Sequence, residues 1–447
     1  MTTLLWLRRD LRVHDNPALE AARKRADHLV PVFCFDDRLL HGRHASGPRT
    51  QFMLECLADL DRSLRTRGTR LVVRRGRPEI EIPKLAAQTG ARAVHYTGDV
   101  SGFARGRDRR VAEAIGDTAA MHEHPGLFVA DDLDAIRTQS GTPYTVFTPF
   151  HRAWLDAPRR PVGGAPRRLP PLPRGLDPGA LPKLSEFGLR QEVADPMPGG
   201  EGEGRRRATK FATGHAGDYG EKRNLVADEG VSRLSAYLHF GCLSPRGLEE
   251  RVDEGAFRRQ LCWRDFYAHV LLHFPSNAHS EHQVRYRGTI RWSRGHKRFE
   301  AWCEGRTGYP LVDAAMRQLK REGWMHNRAR LVAGSFLTKD LGIDWRWGER
   351  WFMRLLLDGD EASNNGNWQW IASVGVDPQP GFRRMFNPAR QQARFDPGGA
   401  YVRRYVPELR DGNRADYPDP IVDHAAARRE ALERYRGAGR AGSECCG

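Results

Sequence analysis

The sequence predicts two domains of different class, a parallel α/β domain followed by an all-α domain, and three observations carry that expectation. Short apolar runs (LLWL at 4–7, LVPVFCF at 29–35, RLVVRR at 70–75, AVHYT at 93–97) alternate with longer amphipathic stretches over the first 135 or so residues. Strands separated by helices in this way build a parallel sheet. From about Asp156 to Gly204 the chain is rich in Pro, Gly and Arg (APRRPVGGAPRRLPPLPRGLDPG, then PMPGGEGEG), a composition that cannot sustain regular elements. Beyond Arg205 the pattern is helical, and nine of the eleven tryptophans follow Gln260. The expected division is an α/β domain over 1–135, a connector over 136–204 and a helical domain over 205–447. A chain of 447 residues exceeds the size at which one core usually stops growing.

Within the first domain, Asn16-Pro17 is a helix start, Asn as cap and Pro in the first turn. Over residues 1–135 neither GxGxxG nor GxxxxGK[ST] occurs, so this domain lacks the dinucleotide and P-loop fingerprints; a ligand at the carboxyl ends of the strands stays open. The 72 Lys+Arg against 56 Asp+Glu leave a formal charge of +16. That balance favours a polyanionic partner over an acidic protein or neutral metabolite, the plainer alternative being a solvated Arg-rich surface. No run approaches the roughly 20 apolar residues of a membrane span, and no secretory signal is seen, so a cytoplasmic protein with no membrane partner is expected. The seven cysteines (Cys34, Cys56, Cys242, Cys262, Cys303, Cys445, Cys446) form no CxxC pair, so neither a metal site nor a disulfide framework is indicated.

Several segments of the helical half mix residue types that carry chemistry. Asp358-Gly-Asp-Glu-Ala-Ser-Asn364-Asn365-Gly366-Asn367-Trp368-Gln369-Trp370 follows the apolar Leu355-Leu356-Leu357. Carboxylates, amides and indoles so close together point to a ligand site, with a helix cap and polar loop as the alternative. A calcium loop fails, because its fifth, sixth and twelfth positions are Ala362, Ser363 and Gln369 rather than an oxygen donor, Gly and Glu. Trp324-Met-His-Asn327-Arg328-Ala-Arg330 puts Asn327 and Arg330 on one face of an expected helix. Arg330 can there pair with Asp358 or Asp360, meet a phosphate, or be an ordinary surface Arg. Gln260-Leu-Cys-Trp263-Arg264-Asp265-Phe266-Tyr267 interleaves aromatics with a basic residue, as stacking a base beside its phosphates requires; aromatics at helical spacing read equally as core. Trp292, Trp345 and Trp368 are candidates for electron relay to a buried redox cofactor, or are packing.

Together these segments resemble the photolyase/cryptochrome family, from Leu4 to about Leu409. WLRRDLRVHDNPAL at 6–19 is similar to the family's opening strand and loop, and GYPLVDAAMRQL at 308–319, GWMHNRAR at 323–330, KDLGIDWRWGERWF at 339–352 and DGDEASNNGNWQW at 358–370 to its flavin-binding core. The resemblance implies an N-terminal α/β antenna domain and a helical domain holding FAD folded into a U. The implied cofactor-binding set is Tyr219, Val231, Ser232, Arg233, Leu234, Ser235, Phe257, Asn327, Arg330, Asp358, Gly359, Asp360 and Asn364. Tyr219, Ser232, Leu234 and Ser235 match its phosphate-side contacts, and Asn364 matches the residue facing flavin N5, where an amide tolerates the reduced anion. Trp368, Trp345 and Trp292 match the photoreduction chain. Gln260, Trp263, Arg264, Asn327, Arg328, Trp370 and Gln391 match positions at the DNA, Trp263 and Trp370 flanking a flipped dimer. Base flipping is a stated general property of photolyases, which the resemblance extends here.

The expected activity is light-dependent repair of cyclobutane pyrimidine dimers in DNA by a monomer without an obligate protein partner. A second chromophore, a folate or a deazaflavin, is expected in the first domain; FCFDD and Arg49 resemble deazaflavin-type members loosely. Two positions depart from the family pattern. Gln260 stands where many dimer-specific members carry Glu, and it can bond a pyrimidine edge without supplying a proton. Val231 replaces a Thr, a loss of one hydrogen bond of about 1 kcal/mol. Gln260 raises the six-four photoproduct as an alternative substrate, but that class usually shows His-His where this chain reads His326-Asn327, and a second His at Leu331; its acid/base chemistry needs the imidazole. A cryptochrome-type photosensor is the rival of another class. Against it stand Asn364 in place of the sensors' Asp or Cys, both dimer-flanking tryptophans, and no long extension past Arg440. A helical DNA-binding protein without cofactor is a third reading, which a colourless preparation would mark.

Overall fold

The computed structural model describes residues 1–228, 230–376, 385–410 and 415–444, the last six of these as backbone only. The Cys445-Cys446 pair lies outside the described residues. Five strands, β1 (Thr2–Leu7), β2 (His28–Phe35), β3 (Val72–Arg75), β4 (Ala91–Thr97) and β5 (Ala120–His124), form one sheet in the order β3-β2-β1-β4-β5. Every pairing is parallel, with Leu4 aligned to Val30 on one side and Val94 on the other. Helices cover both faces of such a sheet, so its central strands are apolar throughout rather than alternating. Leu5 and Leu7 of β1 point into one core, with Leu57, Leu60 and Leu64 of helix Gly47–Arg65, while Leu4 and Trp6 point into the other, with Ile82, Leu85 and Val111. Asn16 caps helix Pro17–Lys24 by accepting from Leu19 N, with Pro17 as the first helical residue.

Strand order reverses between β1 and β4, and the crevice at their carboxyl ends is where a sheet of this kind offers a docking point. Here that point receives the second half of the molecule. Arg9, just past β1, bonds Asp99, just past β4, at 3.2 Å and Asp360 of the helical half at 2.6 Å. After β5 the chain crosses over: Val129 N, Ala130 N and Trp154 Nε1 all donate to Asp265 Oδ2, at 3.0, 3.1 and 2.9 Å. Asp265 sits mid-way along helix Gly255–His273, against which helix Phe147–Asp156 packs. Residues 157–200 hold only one short 3-10 turn, Leu184–Phe187. They run back along the sheet edge, bonding Leu29 N through Pro171 O and Val73 N through Pro178 O.

The second half is helical throughout, its core built on Trp302, Val312, Met316, Phe336, Trp345, Phe352 and Trp368. Helix Asn327–Ser335 runs through a π turn, Phe336–Asp340, toward helix Trp345–Leu355, and helix Glu361–Ala372 lies against it. At their contact Gly348 faces the Trp368 indole so closely that a Cβ there would lie 2.1 Å from Cη2.

Candidate functional site

Helix Glu361–Ala372 organises the site because its three sides face three surroundings. Its start is fixed by Asp360, whose carboxylate accepts from Ser363 N at 2.8 Å as the N-cap. The cap reading of 358–370 therefore applies to Asp360. Burial opposes ionisation of Asp360, yet Arg9, with Arg264 behind it, holds it well below the usual carboxylate range. His239, 3.7 Å away, is pushed by burial and by Arg9 down to about 4 and is neutral. Two residues earlier, Asp358 accepts from Arg330 Nη2 at 2.8 Å, and Arg330 Nε holds Met325 O at 2.9 Å. Between them Gly359 is buried under the guanidinium of Arg49, which reaches from helix Gly47–Arg65 to the Met353 and Leu356 carbonyls. Arg49 is thus spent on joining the halves, and burial lowers its pKa to about 10.

Asn364, one turn along, is 9% exposed and donates Nδ2 to Glu349 O at 3.1 Å. On the opposite side of the same region Tyr219 and Phe257 meet edge to face at 5.7 Å around Phe211, and burial raises the Tyr219 hydroxyl to about 12. Val231, Ser232 and Ser235 are half-buried in the turn that opens helix Ser235–His239, Leu234 is fully buried, and Arg233 adopts φ 50. A left-handed Arg costs about 1 kcal/mol; an ion pair to Glu322 at 2.9 Å and stacking 4.4 Å over Trp324 hold it there.

Four buried polar atoms near these residues have no protein hydrogen-bond partner: Asp358 Oδ1, His326 Nε2, Arg328 Nε and Gln391 Oε1. His326 Nδ1 accepts from Arg328 N at 3.1 Å, and burial pushes the ring down to about 4. The neutral tautomer therefore carries its proton on Nε2, a donor without an acceptor. Buried polar groups are rarely left so; a polar ligand fits the set. His326 was not among the expected site residues, though its N-cap position before Asn327 was the available signal. Asn327 itself is exposed, and Arg328 bonds Asn224 Oδ1 at 2.7 Å while lying 4.4 Å over Phe395, on the helix that carries Gln391.

The tryptophans follow one another through the backbone. Trp292 precedes Ser293, whose N–H bonds Gly342 O at 2.7 Å, two residues before Asp344, which caps the helix that begins with Trp345. Gly348, one turn on from Trp345, presses on Trp368. Trp345 and Trp368 are 0% and 2% exposed, and Trp292 is half-buried.

Helices Gly255–His273 and Glu361–Ala372 run antiparallel. Leu271 and Ala362 line one small cavity, and Gly366 meets Tyr267 so tightly that a Cβ there would lie 2.1 Å from its Cδ1. Continued by one turn, the register of these two contacts would bring Trp263 toward Trp370; both are half-buried, as is Gln260. Arg264 points the other way: its guanidinium donates to Leu127 O and Leu238 O and lies 5.1 Å over Phe128. The structure thus separates Arg264 from Trp263 and gives it to the junction between the halves.

Family models for "DNA photolyase" and "FAD binding domain of DNA photolyase" match residues 3–173 and 257–437. A deoxyribodipyrimidine photo-lyase of Streptomyces griseus is 42% identical, with 96% of this chain and 97% of that one covered. A class III photolyase structure from Agrobacterium tumefaciens superposes with a TM-score of 0.89 at 33% identity, covering 98% of each chain. An archaeal photolyase from Sulfolobus tokodaii, solved with two FAD molecules, gives 0.87 at 30% identity over 98% of this chain and all of that one.

Proposed function

The chain belongs to the DNA photolyase family, and on that premise we propose that it is a deoxyribodipyrimidine photo-lyase, repairing cyclobutane pyrimidine dimers in DNA under light. What supports this reading is the register of helices Gly255–His273 and Glu361–Ala372, which extended by one turn would bring half-buried Trp263 toward half-buried Trp370, the second helix also presenting Asn364 and Trp368 to the interior. Two half-buried indoles facing each other can sandwich an extruded pair of bases, each stacked base contributing about 1–3 kcal/mol. Gln260 beside them offers an amide to the pyrimidine edges, while Asn327, Arg328 and Gln391 line the approach for the backbone. The net +16 charge makes phosphate contacts the main, salt-sensitive part of DNA affinity.

Tyr219, Val231, Ser232, Arg233, Leu234, Ser235 and Phe257 hold FAD on one side, Asn327, Arg330, Asp358, Gly359, Asp360 and Asn364 on the other. The partnerless Asp358 Oδ1 and His326 Nε2–H supply the acceptor and donor a flavin's polar edge requires. Gly359 and Asp360 serve through their backbone, the Asp360 carboxylate being taken by Arg9 and its own helix. Bound there, reduced FAD would supply a light-excited electron for splitting the dimer and would take it back when the two pyrimidines are restored. Trp368, Trp345 and Trp292 form the route by which electrons reach the cradle from the surface. Packed residues exclude water around it and fix the orientation on which such cofactor chemistry depends.

The α/β half carries an antenna pigment of folate or deazaflavin type, and the enzyme works as a cytoplasmic monomer without a protein partner. The division into 1–135, 136–204 and 205–447 remains our reading of its domains. Among the described residues no helix is long and apolar enough to cross a membrane. Against six-four chemistry stands His326: neutral near pH 7 and engaged as a helix cap, it supplies no general acid. Blue-light treatment of oligonucleotides bearing either lesion tests the choice. Loss of the cyclobutane dimer with the six-four product untouched is expected; the reverse overturns the assignment.

A further inference from the structure

We propose that Phe147 is a positioning residue for damage recognition: it backs the Trp263 indole and fixes the plane of that wall of the dimer pocket. The inference rests on the reading of Trp263 as such a wall. The two rings lie face to face, centroids 3.6 Å apart and planes 1° from parallel. Phe147 is 7% exposed while Trp263 is half-buried, so Phe147 covers the inner face of the indole and leaves the outer one for a base. An eclipsed sandwich is not the arrangement two aromatic quadrupoles prefer. It needs an external constraint, and two are present. Arg259, one helical turn before Trp263, lies 4.8 Å over the Phe147 ring. Since nothing fits between rings 3.6 Å apart, the cation takes the far face, where it draws π density away from the stack. The edge of Phe266 closes on both rings, at 5.6 Å from each centroid with planes near perpendicular.

The consequence is a wall two rings thick that cannot swing. An indole free to rotate loses part of its stacking energy in being ordered when the dimer enters; one already held loses none. Phe147 comes from helix Phe147–Asp156, which the chain enters after crossing from the sheet, so a segment outside the helical half's own sequence sets the pocket's geometry. It touches neither DNA nor flavin in this account and acts through Trp263.

The test measures, with reduced holoenzyme in darkness, affinity for an oligonucleotide bearing one thymine dimer and for its undamaged twin. Phe147→Leu keeps apolar volume but removes the flat ring, and Phe147→Tyr keeps the ring. F147L is expected to lower the damaged-to-undamaged preference about fivefold, in line with an aromatic pair. Undamaged binding and flavin absorbance should stay near wild type while the melting temperature falls by a few degrees, and F147Y should restore the preference. F147L combined with Trp263→Ala should discriminate no worse than W263A alone, because the pair acts as one unit. An F147L protein that keeps the wild-type preference while W263A loses it overturns the role of Phe147 alone. If W263A itself keeps the preference, the reading of Trp263 fails first.

Discussion

The junction between the halves and the proposed flavin-side cradle are built from the same residue types a few positions apart, and they differ in how those residues are completed. At the junction several charges meet their complement across the chain, Arg9 with Asp99 and Asp360, Arg43 with Glu349 and Arg159 with Glu249, while Arg49 and Arg264 are held by backbone carbonyls and Asp265 keeps one buried oxygen without a hydrogen-bond partner. In the cradle Asp358 uses one oxygen on Arg330 and leaves the other buried and partnerless, and His326 and Arg328 each leave a nitrogen in the same condition. A completed buried pair marks architecture. On the proposed function, the incomplete set around Asp358 and His326 is where a ligand finishes it.

The sharpest way to break this comparison is to exchange the fates of its two carboxylates. Asp360→Ala leaves Arg9 buried at the junction and removes a helix cap, and should cost about 3 kcal/mol in flavin-free protein by urea unfolding. Asp358→Asn should shift the same midpoint little but weaken FAD retention about tenfold; equal unfolding of both would erase the distinction. Next in size is Glu361, half-buried beside Asp360 and Asp99, which burial and those neighbours raise to about 7. A carboxyl whose folded pKa is raised binds its proton more tightly in the folded state, so stability is full below about pH 4.5 and declines as pH rises toward 7. Glu361→Gln should therefore gain on the order of 2 kcal/mol at pH 8, the gain vanishing near pH 4, as pH-dependent urea midpoints will show. Trp370→Ala should weaken dimer binding about tenfold by fluorescence anisotropy while leaving undamaged DNA nearly unaffected. Smallest is Gln260→Glu: both side chains accept from a pyrimidine edge, so dimer affinity should move less than about threefold.

Legibility followed the range of the interaction that decides each element. The central strands were plain because burial on both faces makes them apolar runs. β5, with AMHEH, was not among the expected strands: as an exposed edge it carries His and Glu and has no apolar signature. The Asn16 cap is a local pattern and was readable, as was the partnership of Arg330 with Asp358 or Asp360, which the structure resolves in favour of Asp358. What could not be read is the commitment of Asp360 to Arg9, 351 positions away, or of Arg264 to the Leu127 carbonyl. Nothing local in DGDEAS tells the carboxylate that joins the halves from the one that faces the cradle. Phe147 was invisible for the same reason, since its partner Trp263 is reached only after the chain has crossed between the halves.

The central claim is tested most directly by incubating photoreduced protein with an oligonucleotide carrying a single cyclobutane thymine dimer and following dimer content under blue light and in darkness. Loss of the dimer in the light alone is the predicted result. An unchanged dimer under light, in a preparation whose spectrum shows reduced FAD, would contradict the account.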